Sequence, residues 1–284
     1  MLKFCQALAL YAGFAGAAAA QETHMLKYNF TAGQVLRYDG KDNITGASTI
    51  SGTTQKYSSE TSSVREWRVT DVDDQGSARL ELRIVRVAAE MTSPNGARIA
   101  FDTDKDEEKN PLAAVVGKPI VELTLTASGQ VKDLKPSKSA EAGPFVAMVR
   151  TRLFPLPKVP VQVGTGWQYD FDLPLPPPLG RTNEQVRIRQ TLRLEKVHDG
   201  VATINLRTSL AEETKDKSLM SRVAQFLPAG QIELDLKRGV LRSVELKLDQ
   251  TVQGFSGADS EARITGSSTE RLNDDVAGVD RERK

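Results

Sequence analysis

Residues 78–87 read Ala-Arg-Leu-Glu-Leu-Arg-Ile-Val-Arg-Val, so apolar and charged side chains alternate along most of this segment. In an extended strand, successive side chains point to opposite faces. The two faces here carry different residues: Leu80, Leu82 and Ile84 on one, and Arg79, Glu81 and Arg83 on the other. This pattern predicts a β-strand of an antiparallel sheet with one buried and one solvated side.

Turn sequences join such runs into hairpins. Two turns are flanked on both sides by alternating segments: Asp73-Asp-Gln-Gly76 and His198-Asp-Gly200. The run before the first turn alternates imperfectly, and it places Arg65 on the same face as Trp67 and Val69. Several runs extend over roughly 10–13 residues, whereas a strand usually has ~5–6, and long strands favour a strongly twisted, curled sheet.

The landmarks of the first half recur in the second half in the same order. The matched pairs are Gly33-Gln-Val-Leu-Arg-Tyr38 with Gly164-Thr-Gly-Trp-Gln-Tyr169, residues 72–76 with 197–200, and residues 120–129 with 231–239. This repetition predicts a duplicated β-rich unit of roughly 110–130 residues and about two domains.

The predicted organisation follows from the repeats. It has five parts: a signal peptide at 1–20, a first β-rich unit at 21–153, a proline-rich junction at 154–163, a second β-rich unit at 164–272 and a charged tail at 273–284. Residues 173–180 are also proline-rich and predict a rigid surface loop. Residues 44–63 are rich in Ser, Thr and Gly, and they predict either an edge hairpin or a mobile loop.

The first twenty residues have the pattern of a secretory signal. Lys3 is followed by an apolar, alanine-rich stretch, and Ala18-Ala-Ala20 forms a small-residue cleavage site. We expect cleavage after Ala20 and export to the periplasm or the extracellular space. No other stretch approaches the ~18 apolar residues that span a bilayer, so we expect no membrane span after cleavage.

Composition excludes several function classes. Cys5 is the one cysteine and lies in the predicted signal, so the mature chain has no disulfide, thiolate ligand or cysteine nucleophile. Lys3 is the one charged residue of the signal, so the 38 basic and 37 acidic residues of the chain become equal in number after cleavage. A balanced charge argues against nucleic acid as a partner. With two histidines, a zinc site or triad built on several histidines is not expected.

Two segments have helical periodicity and predict short helices that pack on the sheets. Their apolar stripes are Phe145, Met148, Val149 and Leu153 in residues 140–153, and Leu219, Met220, Val223 and Phe226 in residues 217–227. The expected fold class is β-dominated α+β, with two related, curved, half-barrel-like antiparallel sheets that each carry a short helix.

One acidic segment has the alternate carboxylates of a hard-cation loop, namely Asp102-Thr-Asp-Lys-Asp-Glu-Glu108. A calcium loop of the EF-hand type needs glycine at its sixth position and glutamate at its twelfth. Those positions hold Glu107 and Ala113. The sequence therefore favours a solvated acidic loop over a calcium site, and we predict no metal site.

Other candidate residues also have simple structural interpretations. His198 and Asp199 form an ordinary exposed turn, where neighbouring side chains usually point apart. Asp170 and Asp172 lie on one face of a predicted strand, whereas paired glycosidase carboxylates normally come from separate strands. Trp67 and Trp167 are expected to be core aromatics. Because motifs for phosphate binding, nucleophilic serine or zinc peptidase chemistry are also missing, we predict no catalytic residue and no cofactor.

Several short motifs carry a family resemblance. They are residues 33–38, Trp67, the Gly76 turn, Met91-Thr-Ser-Pro-Asn-Gly96 with Phe101-Asp102, and the pattern that runs from Phe154 through Val161 and Gly164 to Trp167. In these motifs the chain resembles a β-rich family of secreted, planctomycete-like bacterial proteins of unknown function. The resemblance implies export and a duplicated β-fold, and it transfers no catalytic residue. In overall shape alone, the expected fold is similar to periplasmic lipoprotein carriers, whose open half-barrels hold helices on the concave side.

Three functional hypotheses follow from the sequence. The first is a non-enzymatic envelope or secreted protein that holds a lipid or another apolar ligand in a concave sheet. The second is a structural or interaction module of the cell envelope that binds a protein partner through exposed sheet edges. The third is a carboxylate-based hydrolase, which requires two or more acidic side chains, from Asp170, Asp172 and the segment Asp102 to Asp106, to converge in one pocket.

Overall fold

The computed structural model describes residues 22–105, 115–136, 148–175 and 184–274. The strands are β1 (Thr23–His24), β2 (Val35–Ile50), β3 (Thr53–Val72), β4 (Ala78–Thr92), β5 (Arg98–Asp102), β6 (Pro119–Leu125), β7 (Val131–Pro136), β8 (Val161–Gln162), β9 (Gly166–Leu175), β10 (Glu184–His198), β11 (Val201–Leu210), β12 (Ala229–Asp235), β13 (Val240–Gln253) and β14 (Glu261–Leu272). Helix α1 (Lys217–Val223) continues into a 3-10 turn at Ala224–Phe226, and residues 148–151 form a further helical turn.

The strands form a large and a small antiparallel sheet. The large sheet has twelve strands in the order β7-β6-β4-β3-β2-β14-β13-β12-β11-β10-β9, with β5 beside β4, and the small sheet pairs β1 with β8. The β-dominated α+β fold class is confirmed. Strands of both predicted units lie in the large sheet, because β2 pairs with β14 from Tyr38↔Leu272 to Thr49↔Glu261.

The sequence repeat corresponds to two consecutive meanders. The first runs from β2 to β7 and the second from β9 to β14, and both progress in the same direction across the sheet. The repeated opening pattern leads into β2 and β9, the repeated turns join β3 to β4 and β10 to β11, and the last repeated segments form the β6–β7 and β12–β13 hairpins. The last strand of the second meander therefore pairs with the first strand of the first.

Residues 44–63 form a hairpin, as one of the two expectations had it, but its strands lie inside the sheet rather than at its edge. This segment forms the far halves of β2 and β3, which are interior strands of the sheet because β2 also pairs with β14 and β3 with β4. The connecting turn has positive φ at both Ser51 (48°) and Gly52 (77°), as a two-residue hairpin turn requires. Pairing on both sides satisfies the backbone of residues 44–49 and 58–63, which have few apolar side chains, whereas residues 53–57 pair with β2 alone.

The large sheet curls around its interior. In a flat sheet, β4 and β13 would lie about 19 Å apart, since three strands separate them at ~4.8 Å per spacing. Leu82 of β4 and Val244 of β13 nevertheless line one cavity of about 80 Å³. Two register shifts, which leave Val85 of β4 and Ile120 of β6 as extra residues opposite β3 and β4, add to the local bend. The alternation that opened the sequence is confirmed here, since Leu80, Leu82 and Ile84 are buried.

Both predicted helical regions contain helix. In α1, the Asp216 side chain caps the first turn by accepting from the Leu219 backbone N–H at 3.0 Å. Leu219, Met220 and Phe226 pack against an apolar cluster on β9 and β10. In the other region, Met148 and Leu153 pack on the sheet as expected, whereas residues 140–147, including Phe145, lie outside the described residues.

The proline-rich stretch at 173–180 begins inside the fold, so the prediction of a surface loop is wrong for its first three residues. Leu173 and Leu175 are buried in β9, and Pro174 between them is exposed. Proline is tolerated because β9 is an end strand of the sheet and needs no second ladder of hydrogen bonds. Residues 176–180 lie outside the described residues. Among the residues that are described, none of the helices is long and apolar enough to cross a bilayer.

Candidate ligand-binding site

The segment from 148 to 156 crosses the interior of the curled sheet. Four hydrogen bonds tie its backbone to other parts of the chain: Tyr28 Oη donates to Phe154 O (3.0 Å), Trp167 Nε1 to Pro155 O (2.8 Å), Leu156 N to Ser128 O (2.8 Å) and Gln190 Nε2 to Thr151 O (3.3 Å). Phe154 and Leu156 are buried in the main apolar cluster of the second half. Residues 154–156 of the proline-rich junction are therefore part of the core, whereas residues 158–160 are exposed.

A cavity of about 80 Å³ lies between this segment and the sheet. Its sheet side includes Leu36, Trp67 and Leu82, and its segment side includes Met148, Val149 and Leu153. If each non-hydrogen atom occupies as much space as a water, ~10–15 Å³, the cavity accommodates roughly five to eight atoms. Its lining is thus suited to a small apolar group.

Two tyrosines in the cavity wall donate their hydroxyl hydrogens to backbone carbonyl groups. Tyr28 donates to Phe154 O and Tyr38 donates to Leu241 O, both at 3.0 Å. Burial raises the pKa of both phenols, since it disfavours the charged phenolate. Both residues therefore act as neutral, apolar wall elements whose donors are used within the protein.

A buried ion-pair cluster forms the polar end of the cavity. Arg65 Nη2 lies 3.2 Å from Glu270 Oε2, and Arg152 Nη1 lies 3.7 Å from the same oxygen. Arg152 Nη2 also donates to Asp42 Oδ1 (3.0 Å) and Ser268 Oγ (2.5 Å), and Ser268 Oγ contacts Asp42. The cluster therefore joins β2, β3 and β14 to the crossing segment.

The backbone of β2 makes room for the buried arginine. Gly40 lies opposite Glu270 on β14, and the neighbouring residue on the same face, Tyr38, lies opposite Arg65 on β3. The Arg65 guanidinium lies over Gly40 so closely that a Cβ atom there would be 2.7 Å from Arg65 Nη2 and 2.9 Å from Ser63 Oγ. Glycine is the residue that permits this approach.

The arginines have donors that the described residues do not satisfy. Arg65 is 5 % exposed, and its buried Nε and Nη2 atoms make no hydrogen bond there; the same holds for Arg152 Nη1. The Arg65–Glu270 contact is close enough for an ion pair but lacks hydrogen-bond geometry. An unsatisfied buried donor costs about 1–3 kcal/mol, and more when it is charged. An acceptor at this end of the cavity would remove that cost.

A second cavity of about 110 Å³ lies on the other side of Arg152. Its wall includes Ile44 and Leu248 on the sheet and Phe226 after α1. Arg152 lines both cavities. Its side chain therefore separates two apolar spaces on one face of the sheet.

The acidic segment at 102–108 is held by arginine where the structure describes it. Arg86 donates to both carboxylate oxygens of Asp102, at 3.2 and 2.8 Å, and contacts Asp104 at 2.9 Å. This pairing lowers the pKa of Asp102 to about 2. Within the described ranges, no group of three or more His, Cys, Asp or Glu side chains is placed to hold a metal. Asp106, Glu107 and Glu108 lie outside the described residues.

The other sequence candidates do not converge on the cavity. Asp170 and Asp172 share the face opposite to the buried Phe171, and Arg189 binds both oxygens of Asp170 at 2.8 Å. That pairing lowers the pKa of Asp170. Asp170 on β9 and Asp102 on β5 pair with different arginines, Arg189 and Arg86, and neither carboxylate lines the cavity of about 80 Å³.

The turn histidine differs from its expectation in one respect. His198 is exposed, as expected, but its Nε2 lies 3.2 Å from Asp199 Oδ2, so the two side chains do not point apart. Asp199 has a positive φ of 50°, a left-handed conformation that Asp adopts more often than most other residues. Trp67 and Trp167 both pack against apolar clusters, as predicted.

Comparison with known proteins gives no family. No family model matches the sequence, and no curated protein matches it either. Among solved structures, the chain is similar to a lipovitellin whose structure concerns lipid–protein interactions, with 13% identity and a TM-score of 0.49 over 86% of this chain and 25% of that chain. It is also similar to DynF of the dynemicin pathway of Micromonospora chersina, with 5% identity and a TM-score of 0.22 over 95% of both chains. The chain thus spans a quarter of the lipovitellin chain, and at these TM-scores neither likeness supports a functional conclusion.

Proposed function

We propose that this protein is a non-catalytic carrier that holds a small apolar molecule, or the end of a lipid chain, inside the curled sheet. The observation that carries the proposal is the cavity of about 80 Å³ between the sheet and residues 148–154. Its walls are mostly aliphatic and aromatic, and a few polar groups lie at one end. Ligand sites in proteins typically combine an apolar lining with a few placed polar groups.

The size of the cavity limits what the protein holds. Room for roughly five to eight atoms excludes a whole phospholipid and admits a short molecule or a chain end. We extend the proposal to an exported location, on the basis of the signal peptide predicted at residues 1–20, which lie outside the described residues.

Native mass spectrometry of the exported protein, purified without detergent, tests the proposal. The wild-type protein is expected to carry a small molecule, and Leu153→Trp is expected to lose it because the indole fills the cavity that Leu153 lines. Val159→Trp, at a residue that is 63% exposed, is the matched control and is expected to retain the molecule. Met148→Trp replaces Leu153→Trp if that variant does not fold. A wild-type protein without any bound molecule, or equal occupancy in the filled variants, would overturn the proposal.

A further inference from the structure

We infer that the ligand of the cavity is uncharged and presents a hydrogen-bond acceptor, such as the carbonyl oxygen of a ketone, ester or amide, to the Arg65 guanidinium. This inference rests on the proposed function, since it names the chemistry of the ligand at the same site. It follows from two properties of the buried cluster, its charge and its donors.

The charges of the cluster already balance. Two guanidinium groups, those of Arg65 and Arg152, face two carboxylates, those of Glu270 and Asp42. The side chains of Arg65 and Glu270 are only 6% and 10% exposed. A carboxylate ligand would add an unbalanced negative charge beside Glu270, and an unpaired charge in a poorly solvated site is strongly unfavourable. A cationic ligand would be repelled by the two arginines that line the cavity.

The hydrogen-bond donors of the cluster, in contrast, outnumber the acceptors that they reach. Arg65 Nε and Nη2 make no hydrogen bond with the described residues, while the hydroxyls of Tyr28 and Tyr38 donate to backbone carbonyls. Arg65, which lines the cavity, therefore has unsatisfied N–H donors at a site whose charges already balance. A neutral acceptor oxygen satisfies these donors without changing the net charge.

The geometry places this donor next to apolar walls. Arg65, Trp67 and Leu82 all line the same cavity, and Gly40 keeps the guanidinium close to the sheet. A molecule with one acceptor oxygen and a short hydrocarbon part thus matches both ends of the space. A molecule of water at Arg65 would satisfy the donor alone and leave the apolar part of the cavity without a ligand.

The test compares two probes with equal numbers of non-hydrogen atoms, 2-hexanone and pentanoate, at neutral pH. The readouts in ¹H–¹⁵N spectra of the full protein are the Arg65 Nε–H resonance and, for variants that lack Arg65 as well, the indole N–H resonance of Trp67, which lines the same cavity. Titration with 2-hexanone is expected to shift these resonances to saturation. The affinity for pentanoate is expected to be lower by a factor of about ten or more, and a factor of ten corresponds to about 1.4 kcal/mol.

Two variants test whether the Arg65 guanidinium causes the preference for 2-hexanone. Arg65→Met keeps the apolar stem, and it is expected to bind 2-hexanone no better than hexane. Arg263→Met, at an exposed arginine on β14, is the control and is expected to keep the preference. If Arg65→Met does not fold because Glu270 is left unpaired, the double variant Arg65→Met/Glu270→Gln removes both charges together.

The outcomes separate the inference from the proposed function. Saturable binding of pentanoate as tight as that of 2-hexanone, or an unchanged affinity of Arg65→Met for 2-hexanone, would overturn the inference and leave the proposed function intact. Binding of neither probe, nor of hexane, would overturn both and would indicate that Arg65 binds water only.

Discussion

Arg65 is buried because the backbone around it has no side chain in the way. A Cβ atom on Gly40 of β2, which lies opposite Glu270, would come within 2.7 Å of Arg65 Nη2, so the guanidinium would have to move if Gly40 carried a side chain. The Arg65–Glu270 ion pair and the position of the Arg65 donors depend on this one close approach.

Gly40→Ala is therefore expected to destabilise the fold by about 1–3 kcal/mol, as overpacking of a tight site does. Gly166→Ala is the matched control, because the atom nearest to its Cβ would be Leu192 O at 3.4 Å. Urea denaturation followed by far-UV circular dichroism measures both free energies of unfolding. Equal stability of the two variants would contradict the role assigned to Gly40.

The Asp102–Arg86 pair gives a prediction for pH. Arginine lowers the pKa of Asp102 to about 2 in the folded protein, whereas an unfolded chain has a value of about 3.9. A lowered folded pKa stabilises the protein fully above the unfolded value, and this contribution is lost as the pH falls from about 4 toward 2.

Carbon-detected NMR titration measures this pKa directly. Arg86→Met is expected to raise the pKa of Asp102 toward about 3.9, while Arg263→Met, on a distant strand, is expected to leave it unchanged. A pKa near 4 in the wild-type protein would show that the pair is not formed in solution.

We predicted no residue of this site from the sequence, although Arg65 carried a local signal. Arg65 shares a face with Trp67 and Val69 in an otherwise apolar pattern, which is the signal of a buried charge. Its partner Glu270 and the bridging Arg152 gave no such signal, because they meet Arg65 only through the pairing of β2 with β14 and the path of the crossing segment. Long-range contacts of this kind are not encoded in local periodicity.

The crossing segment is the element that closes the cavity. Phe154 is 2% exposed, its carbonyl accepts from Tyr28, and its ring lies in the main apolar cluster of the second half. Phe154→Ala is expected to cost about 3–5 kcal/mol, as buried phenylalanines typically do.

Val159→Ala is the control for this element, since Val159 is exposed, and its effect is expected to lie within about 0.5 kcal/mol. Thermal or urea denaturation measures the loss of stability in both variants. If Phe154→Ala is no less stable than Val159→Ala, the segment is a surface linker and the cavity has no lid.

Elements with strong local patterns were predicted correctly. The alternating strands, the glycine turns and the repeated landmarks correspond to the observed hairpins. Two stretches were predicted less well, namely 44–63 and 173–175. Their residues, Ser and Thr in one case and a proline in the other, favour loops locally, but pairing with neighbouring strands overrides that preference.

At the scale of the whole molecule, the two meanders share one sheet through the long β2–β14 pairing. Because this seam also carries the buried ion-pair cluster, we predict that the two halves unfold together. The chain has two tryptophans, Trp67 in the first meander and Trp167 in the second, so each single-tryptophan variant reports on one half.

Urea titrations of Trp67→Phe and Trp167→Phe are expected to give coincident fluorescence and circular dichroism transitions within each variant. Separate transitions, with one tryptophan signal changing before the secondary structure is lost, would indicate two independently stable domains.

The central claim is that an apolar ligand lies inside the curled sheet, and intermolecular nuclear Overhauser effects test it most directly. For 2-hexanone bound to the mature protein, the account predicts contacts from the hexanone protons to the Trp67 ring and to the methyl groups of Leu82 and Val149, which line the cavity. Contacts only to exposed apolar side chains such as Met25 and Ile99, or no contacts at all, would contradict it.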